Sequence, residues 1–172
     1  MLQQRGRIAM KLYHESNILI REIDFSRCRT YKDFGQGFYL TEIEEQATKM
    51  AERTATIYGG KGIVSVFEFD REGAFADKEL SIKEFTIPNQ EWALFVMGNR
   101  DRNRDRNSEH PTHHFDIVIG PVADDEMATQ FRYFKDGIID LEKLVSKIRF
   151  HKVSSQYFFH TDRAIKYLKP YE

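Results

Sequence analysis

The chain has 172 residues, 41% hydrophobic and 31% charged, a size and balance that suit one globular domain with its own core. A net charge of −1 gives no whole-molecule attraction to nucleic acid or anionic membrane, and the single cysteine, Cys28, excludes an internal disulfide and suits a reducing, cytoplasmic compartment. No apolar run reaches the roughly 18 residues of a membrane span, and MLQQRGRIAMK lacks a signal-peptide apolar stretch, so a soluble protein without a membrane partner is expected.

Residues 1–9 are polar and read as a flexible N-terminal arm before a single domain over 10–172. Lys11 to His14 predicts a short strand ended by the polar turn Glu15-Ser16-Asn17, with Ile18 to Ile23 continuing extended. Residues 24–35 read as a loop carrying Arg27, Arg29 and Lys32. Gln36 to Thr41 alternates as a strand does. Thr41 and Glu44 have the spacing of a capping box, opening a helix to about Ile57 that Gly59-Gly60-Lys61-Gly62 stops. Ile63 to Phe69 is the clearest strand, and Leu80 to Phe85 a second alternating piece before Pro88. Asn89 is the expected cap of a helix whose Trp92, Phe95 and Val96 share one face. Residues 99–109 contain no apolar side chain and predict an exposed loop. Asp116 to Ile119 follows as a buried strand, then helices at about 124–134 and 139–148, the second striped by Leu141, Leu144, Val145 and Ile148. Gln156 to His160 predicts a last strand and Asp162 to Leu168 a closing helix. The uneven strand spacing argues against repeated βαβ units and for an α+β domain with a split, largely antiparallel sheet and peripheral helices.

Three motif matches dissolve on inspection. Asp33-Phe34-Gly35 is the magnesium-holding tripeptide of protein kinases, but the chain has no catalytic loop or lysine strand to accompany it. Gly35-x-Gly37 precedes a strand where a dinucleotide fingerprint would follow one, and the 59–62 glycines lack the spacing of a phosphate loop. Read physically, glycines entering a strand mark a bulge or a close approach. Gly37 and Tyr39 fall on one face, so bare backbone beside a ring could form a slot for a flat group; the plainer reading is an edge strand whose Phe38 and Tyr39 divide between core and surface. His14 could fix a ligand hydroxyl or make a structural hydrogen bond, and Gln156 opens an aromatic strand. Arg100 to Arg106 holds four Arg against two Asp, either a solvated loop or a local contact for a polyanion. His110, His113 and His114 have no cysteine or partner spacing for zinc, and no metal site is expected.

Taken together, Tyr13-His14-Glu15-Ser16, Gly35-Gln36-Gly37-Phe38-Tyr39 and Gln156-Tyr157-Phe158-Phe159 resemble, in order, the three strand motifs of the ADP-ribosyltransferase superfamily in its His-Tyr-Glu branch. With Asp33–Thr41 and the run Asp116 to Asp125, the chain more closely resembles a little-characterised bacterial family of that clan, from about residue 11 to 169. The resemblance implies the split-sheet fold of that superfamily, NAD as donor substrate, and a macromolecular acceptor, RNA or protein. It implies a mono-ADP-ribosyltransferase acting as a bacterial toxin or toxin–antitoxin effector, with an antitoxin protein as a further partner. His14, Tyr39 and Gln156 would be the catalytic set. His14 would hold the adenosine ribose, the backbone of Glu15 and Ser16 the nicotinamide amide, and Tyr39 would stack on the nicotinamide ring beside Phe34, Gly35 and Gly37. Arg29, in preference to Arg27, would meet the pyrophosphate.

Two departures bear on this. Glu15 stands where the motif has glycine, and Gln156 where it has glutamate. An amide keeps hydrogen bonds to ribose and loses the charge, a change comparable to removing an electrostatic stabiliser, about 10²–10³ in rate. Asp33, Asp124 and Asp125 are the candidate compensating carboxylates. The alternative is a catalytically weak or inactive NAD-binding or ADP-ribose-binding module of the same fold. A transferase removing an RNA 2′-phosphate is disfavoured by Tyr39 and Gln156.

Overall fold

The computed structural model describes residues 9–102 and 112–172. The expected arm (residues 1–8 of it) and most of the arginine-rich loop, with His110, lie outside the described residues. Seven strands form one sheet: β1 (Met10–Ser16), β2 (Phe38–Thr41), β3 (Ile63–Phe69), β4 (Ile82–Glu84), β5 (Ile117–Pro121), β6 (Ser155–Phe159) and β7 (Leu168–Pro170). Their order is β4-β5-β6-β2-β1-β3-β7, antiparallel everywhere except the β4–β5 pair. Six α-helices among the described residues surround it: α1 (Glu44–Tyr58), α2 (Arg71–Ala76), α3 (Gln90–Arg100), α4 (Asp125–Lys135), α5 (Leu141–Ile148) and α6 (Asp162–Ile165). The α+β architecture with a largely antiparallel sheet is as expected.

The central strands are apolar on both faces because each face carries its own core. Phe38, Leu40, Ile117, Ile119, Tyr157 and Phe159 pack with Leu12, Phe67 and Phe69 on one side. Val118 and Phe158 point the other way, into a cluster with Phe34, Trp92, Val96, Met127, Leu144 and Ile148 from α3, α4, α5 and the loop before β2. Period-2 side-chain alternation thus divides runs such as Tyr157-Phe158-Phe159 between two cores. Side-chain caps start three of the larger helices: Asn89 accepts from the Trp92 amide at 2.9 Å, Asp124 from Met127 at 2.8 Å and Asp140 from Lys143 at 2.8 Å.

Several boundaries differ from expectation, each for a tertiary reason. The first strand continues through Glu15 and Ser16 because β3 pairs with it residue by residue, from Met10 opposite Phe69 to Ser16 opposite Ile63. No strand follows at Ile18–Ile23; the chain turns through a short 3-10 helix, Phe25–Arg27. The capping box does not form. Thr41 is still in β2, and its hydroxyl accepts the Ile43 amide and donates to Gln46 Oε1 at 3.0 Å, leaving Ile43 as the uncapped start of α1. The closing helix ends at Ile165, and Leu168–Pro170 instead forms β7 on the free edge of β3. Finally α3 runs to Arg100, inside the stretch expected to be loop.

Candidate functional site

Two neighbouring seams of the sheet bring the three resemblance motifs together. Tyr39 on β2 lies opposite Phe158 on β6, and Thr41 opposite Gln156, so Tyr39 and Gln156 are diagonal neighbours on one face. β1 adjoins β2 on its other side through the single register pair Tyr13–Thr41. Near that seam, His14 Nδ1 is 2.7 Å from the Tyr39 carbonyl oxygen and its ring stacks on Phe38, centroids 4.1 Å apart. A carbonyl only accepts, so Nδ1 carries the proton and Nε2 presents a lone pair.

Tyr39 is not an open stacking wall. It is buried, its hydroxyl donates to the Gly35 carbonyl at 2.7 Å and accepts the Phe34 amide at 2.9 Å, closing the turn that begins β2. Burial raises its hydroxyl far above the ordinary range, so the phenol stays protonated. Lys32 Nζ stands 4.2 Å over the ring centroid, and a flat ligand stacking on that face would displace this ammonium. Phe34 is fully buried in the second core cluster and offers no ligand surface. The clearance beside Gly37 is also taken: a Cβ there would overlap the Phe158 ring and come within 2.6 Å of the Phe159 carbonyl oxygen. The flat group that glycine admits is the chain's own phenylalanine. Gly37→Ala is therefore expected to cost about 2–3 kcal/mol by overpacking, checked by urea unfolding; a loss under about 1 kcal/mol would show that Phe158 moves freely.

The remaining sequence candidates are dispersed. Gly35 adopts φ +96 and so serves the turn. Ser16 Oγ accepts the Ile18 amide at 3.3 Å, and Glu15 contributes to the potential at both His14 and Lys32. Arg29 is exposed with its guanidinium 4.7 Å from the Tyr58 ring centroid, and Arg27 pairs with Asp24 at 3.6 Å. Asp124 caps α4 and meets His151 at 3.1 Å, while Asp125 is exposed; neither is bonded to Gln156.

Asp33 is the carboxylate that reaches Gln156. Buried at 6% exposure, it receives Gln156 Nε2 on Oδ2 at 2.8 Å and the Ala123 amide on the same oxygen at 3.1 Å. Its Oδ1 takes Arg100 Nε at 2.7 Å and Nη2 at 2.5 Å. The second Gln156 amide hydrogen faces the Pro121 carbonyl at 3.4 Å. Next to Arg100, Asn99 Nδ2 donates to the Asp33 carbonyl at 3.0 Å, its Oδ1 accepting from Thr112 Oγ1. A glutamine at 156 donates to Asp33 where a glutamate would repel it. Gln156 Oε1, which accepts no bond among the described residues, is left as the acceptor on offer. Lys32, Asn99 and Arg100 are the neighbours of the candidate site that sequence reasoning missed. A helical signal existed, since 92, 96, 99 and 100 recur at spacings that share one face.

Two part-buried imidazoles predict a pH response for the region. Burial holds His14 below its ordinary pKa, against the opposing bond to Tyr39 O and the Glu15 charge. Burial does the same to His113, whose Nε2–H donates to the Phe34 carbonyl at 2.7 Å while Nδ1 accepts the Phe115 amide at 3.1 Å. A histidine depressed in the folded state binds fewer protons there than in the unfolded chain, so stability is full above the unfolded value of about 6.5 and falls as pH drops below it. Thermal melts should show a lower midpoint at pH 5.5 than at pH 7.5, with His14→Asn, which can still donate to Tyr39 O, narrowing the gap. An unchanged gap in that variant would remove His14 from the account.

A groove of about 980 Å³ runs along α1, lined by Ile43, Gln46, Lys49, Met50, Arg53 and Ile57. None of the sequence-predicted site residues lines it. No cluster of metal-ligating residues and no helix long and apolar enough to cross a membrane occurs among the described residues.

Compared with known proteins, residues 10–170 match the family described as Protein of unknown function (DUF3990). The chain belongs to the DUF3990 family. No curated protein and no solved structure matches it. In this DUF3990 chain the matched span takes in all seven strands, and with them His14, Asp33, Tyr39 and Gln156.

Proposed function

We propose that the protein is an NAD-dependent mono-ADP-ribosyltransferase that modifies a macromolecule, in the manner of a bacterial toxin or toxin–antitoxin effector. The observation that supports this reading is that β1, β2 and β6, the strands bearing His14, Tyr39 and Gln156, are neighbours in the sheet. In such a transfer the bond from ribose C1′ to the nicotinamide nitrogen breaks with its electron pair leaving on nicotinamide. The acceptor supplies a pair to C1′ and loses a proton. Neutral His14 has a free Nε2 lone pair suited to a ribose hydroxyl, and Gln156 Oε1 is the acceptor suited to the charge-bearing ribose. The test is incubation with labelled NAD and cell lysate. Labelled macromolecule and free nicotinamide are expected, with release falling about 10²-fold in Gln156→Ala. No label, no nicotinamide, and NAD binding unaltered by Tyr39→Ala would reject the reading.

One observation favours the second reading, an NAD-binding module with little or no turnover. Among the described residues the only carboxylate bonded to Gln156 is Asp33, whose charge is matched by Arg100, so these residues put no net negative charge at the third motif position. Measurable nicotinamide release by the wild-type protein would sink this alternative.

A further inference from the structure

Residues 29–32 carry three cation-on-tyrosine contacts in succession. The Arg29 guanidinium lies 4.7 Å from the Tyr58 ring centroid at the end of α1, the Arg102 guanidinium 5.8 Å from that of Tyr31, and Lys32 Nζ 4.2 Å from that of Tyr39. Tyr39 is interior, but Tyr58 and Tyr31 are 57% and 38% exposed. Tyr31 is the one non-glycine residue among those described with positive φ, +59, a conformation a side-chain-bearing residue rarely adopts and one that concentrates where function demands it. Residues 29–32 are tied to the end of α1 by the Arg29–Tyr58 contact itself, and Arg29 and Tyr31 are two residues apart, so the two exposed ring contacts are neighbours. Neither Arg29 nor Arg102 has a carboxylate within ion-pair distance among the described residues; Arg27, in the same loop, is matched by Asp24.

We infer that this surface docks a single-stranded nucleic acid, the acceptor in the transfer proposed above, on which the inference rests. Rings exposed beside guanidinium planes stack on unpaired bases whatever their sequence, and arginines with no carboxylate partner among the described residues meet the phosphates between them. A duplex keeps its bases stacked on one another and presents no free face to Tyr31 or Tyr58. A polyanion finds local positive charge here on a chain whose overall charge is near zero. Position supports the same occupant: Lys32 follows Tyr31 directly and covers Tyr39, so a strand lying along these rings reaches the His14–Tyr39 seam.

Fluorescence anisotropy of a labelled single-stranded RNA of about 12 nucleotides, titrated with the full chain, tests this. Saturable binding is expected, weaker for a duplex of the same sequence, with each of Tyr31→Ala and Tyr58→Ala raising Kd about tenfold and the corresponding Phe variants retaining affinity. Arg102→Ala should flatten the dependence of log Kd on log salt by about 0.7. Nicotinamide release from NAD alone should be unchanged in the Tyr31 and Tyr58 variants, which separates the two claims. Binding without NAD turnover in any protein would leave the surface standing and reject the transferase. Absent saturable binding, equal affinity for duplex, or indifference to both alanine variants would overturn the surface. So would NAD-derived label in protease-sensitive, ribonuclease-resistant material, which would assign the surface to a protein acceptor.

Discussion

Asp33→Ala is expected to lower the free energy of unfolding by about 3 kcal/mol, the lower end of what breaking a buried ion pair costs, because Arg100 keeps partial access to solvent. The carboxylate joins three separate parts of the chain: Arg100 at the end of α3, Ala123 after β5 and Gln156 on β6. Removing it strands a half-buried guanidinium, an amide N–H and a side-chain amide together. Arg100→Ala should cost at least as much, since it leaves a carboxylate at 6% exposure with only neutral donors. The double variant should then be less destabilised than the sum of the singles, because neither charge is orphaned. Urea unfolding with an unchanged m-value measures all three. A loss under about 1 kcal/mol for Asp33→Ala would mean that the pair contributes no more than a surface bridge.

Gln156→Glu restores the acid that the motif resemblance leads one to expect, and it should make the protein worse. The new carboxylate would face Asp33 Oδ2 at the 2.8 Å spacing now bridged by an amide hydrogen. Two carboxylates that close cannot both be ionised at low cost, so the introduced acid would titrate above its unfolded value of about 4.3. The folded state then binds more protons than the unfolded one. The variant is therefore least penalised below about pH 4 and loses stability progressively as pH rises above that, by about 2–3 kcal/mol at neutral pH. Nicotinamide release should not rise, and a fall of about tenfold is expected as the displaced side chain no longer presents an ordered acceptor. Exchanging the two groups, Asp33→Asn with Gln156→Glu, should recover most of the stability, because one acid and one amide again face each other beside Arg100. Higher activity in the single variant would reverse the assignment and make Asp33 a bystander.

These two variants bear on how the local residues divide their work. Asp33 touches no proposed substrate position in the described contacts; it acts by fixing the rotation of the Gln156 amide, Nε2 inward and Oε1 outward. That makes it a positioning residue, and Arg100 the cation that faces its buried carboxylate. Lys32 has a different part. Burial lowers its pKa while Glu15 and Asp33 act to raise it, and its ammonium covers the Tyr39 ring.

Much of the frame was readable before any coordinates. Ile63 to Phe69 alternates so regularly that its strand limits are those observed, and the Asn89 cap fixed the start of α3 because a side-chain acceptor two or three residues before an amide is a local event. The helix limits at 124–134 and 139–148 were likewise local, set by Asp124, Asp140 and a period-3.6 stripe. The misread pieces depend on pairing across long sequence separations. Leu168–Pro170 has no strand signal of its own and is extended because β3 had an unpaired edge. Thr41 and Glu44 have the right letters for a capping box, but β6 holds Thr41 in the sheet opposite Gln156.

The sequence by itself determined that this chain is an α+β domain with its motif residues on separate strands, since periodicity and caps act over a few residues. It also raised the question of a glutamine standing in a glutamate's position. Only the tertiary structure decided the answer, because Arg100 and Gln156 lie 67 and 123 residues from Asp33 along the chain and meet it through strand pairing and the docking of α3. It decided equally that Gly37 admits Phe158 and that Tyr39 is inside, covered by Lys32. A bare backbone beside a ring specifies that something flat fits there, and only packing says whether that is a ligand or the protein itself.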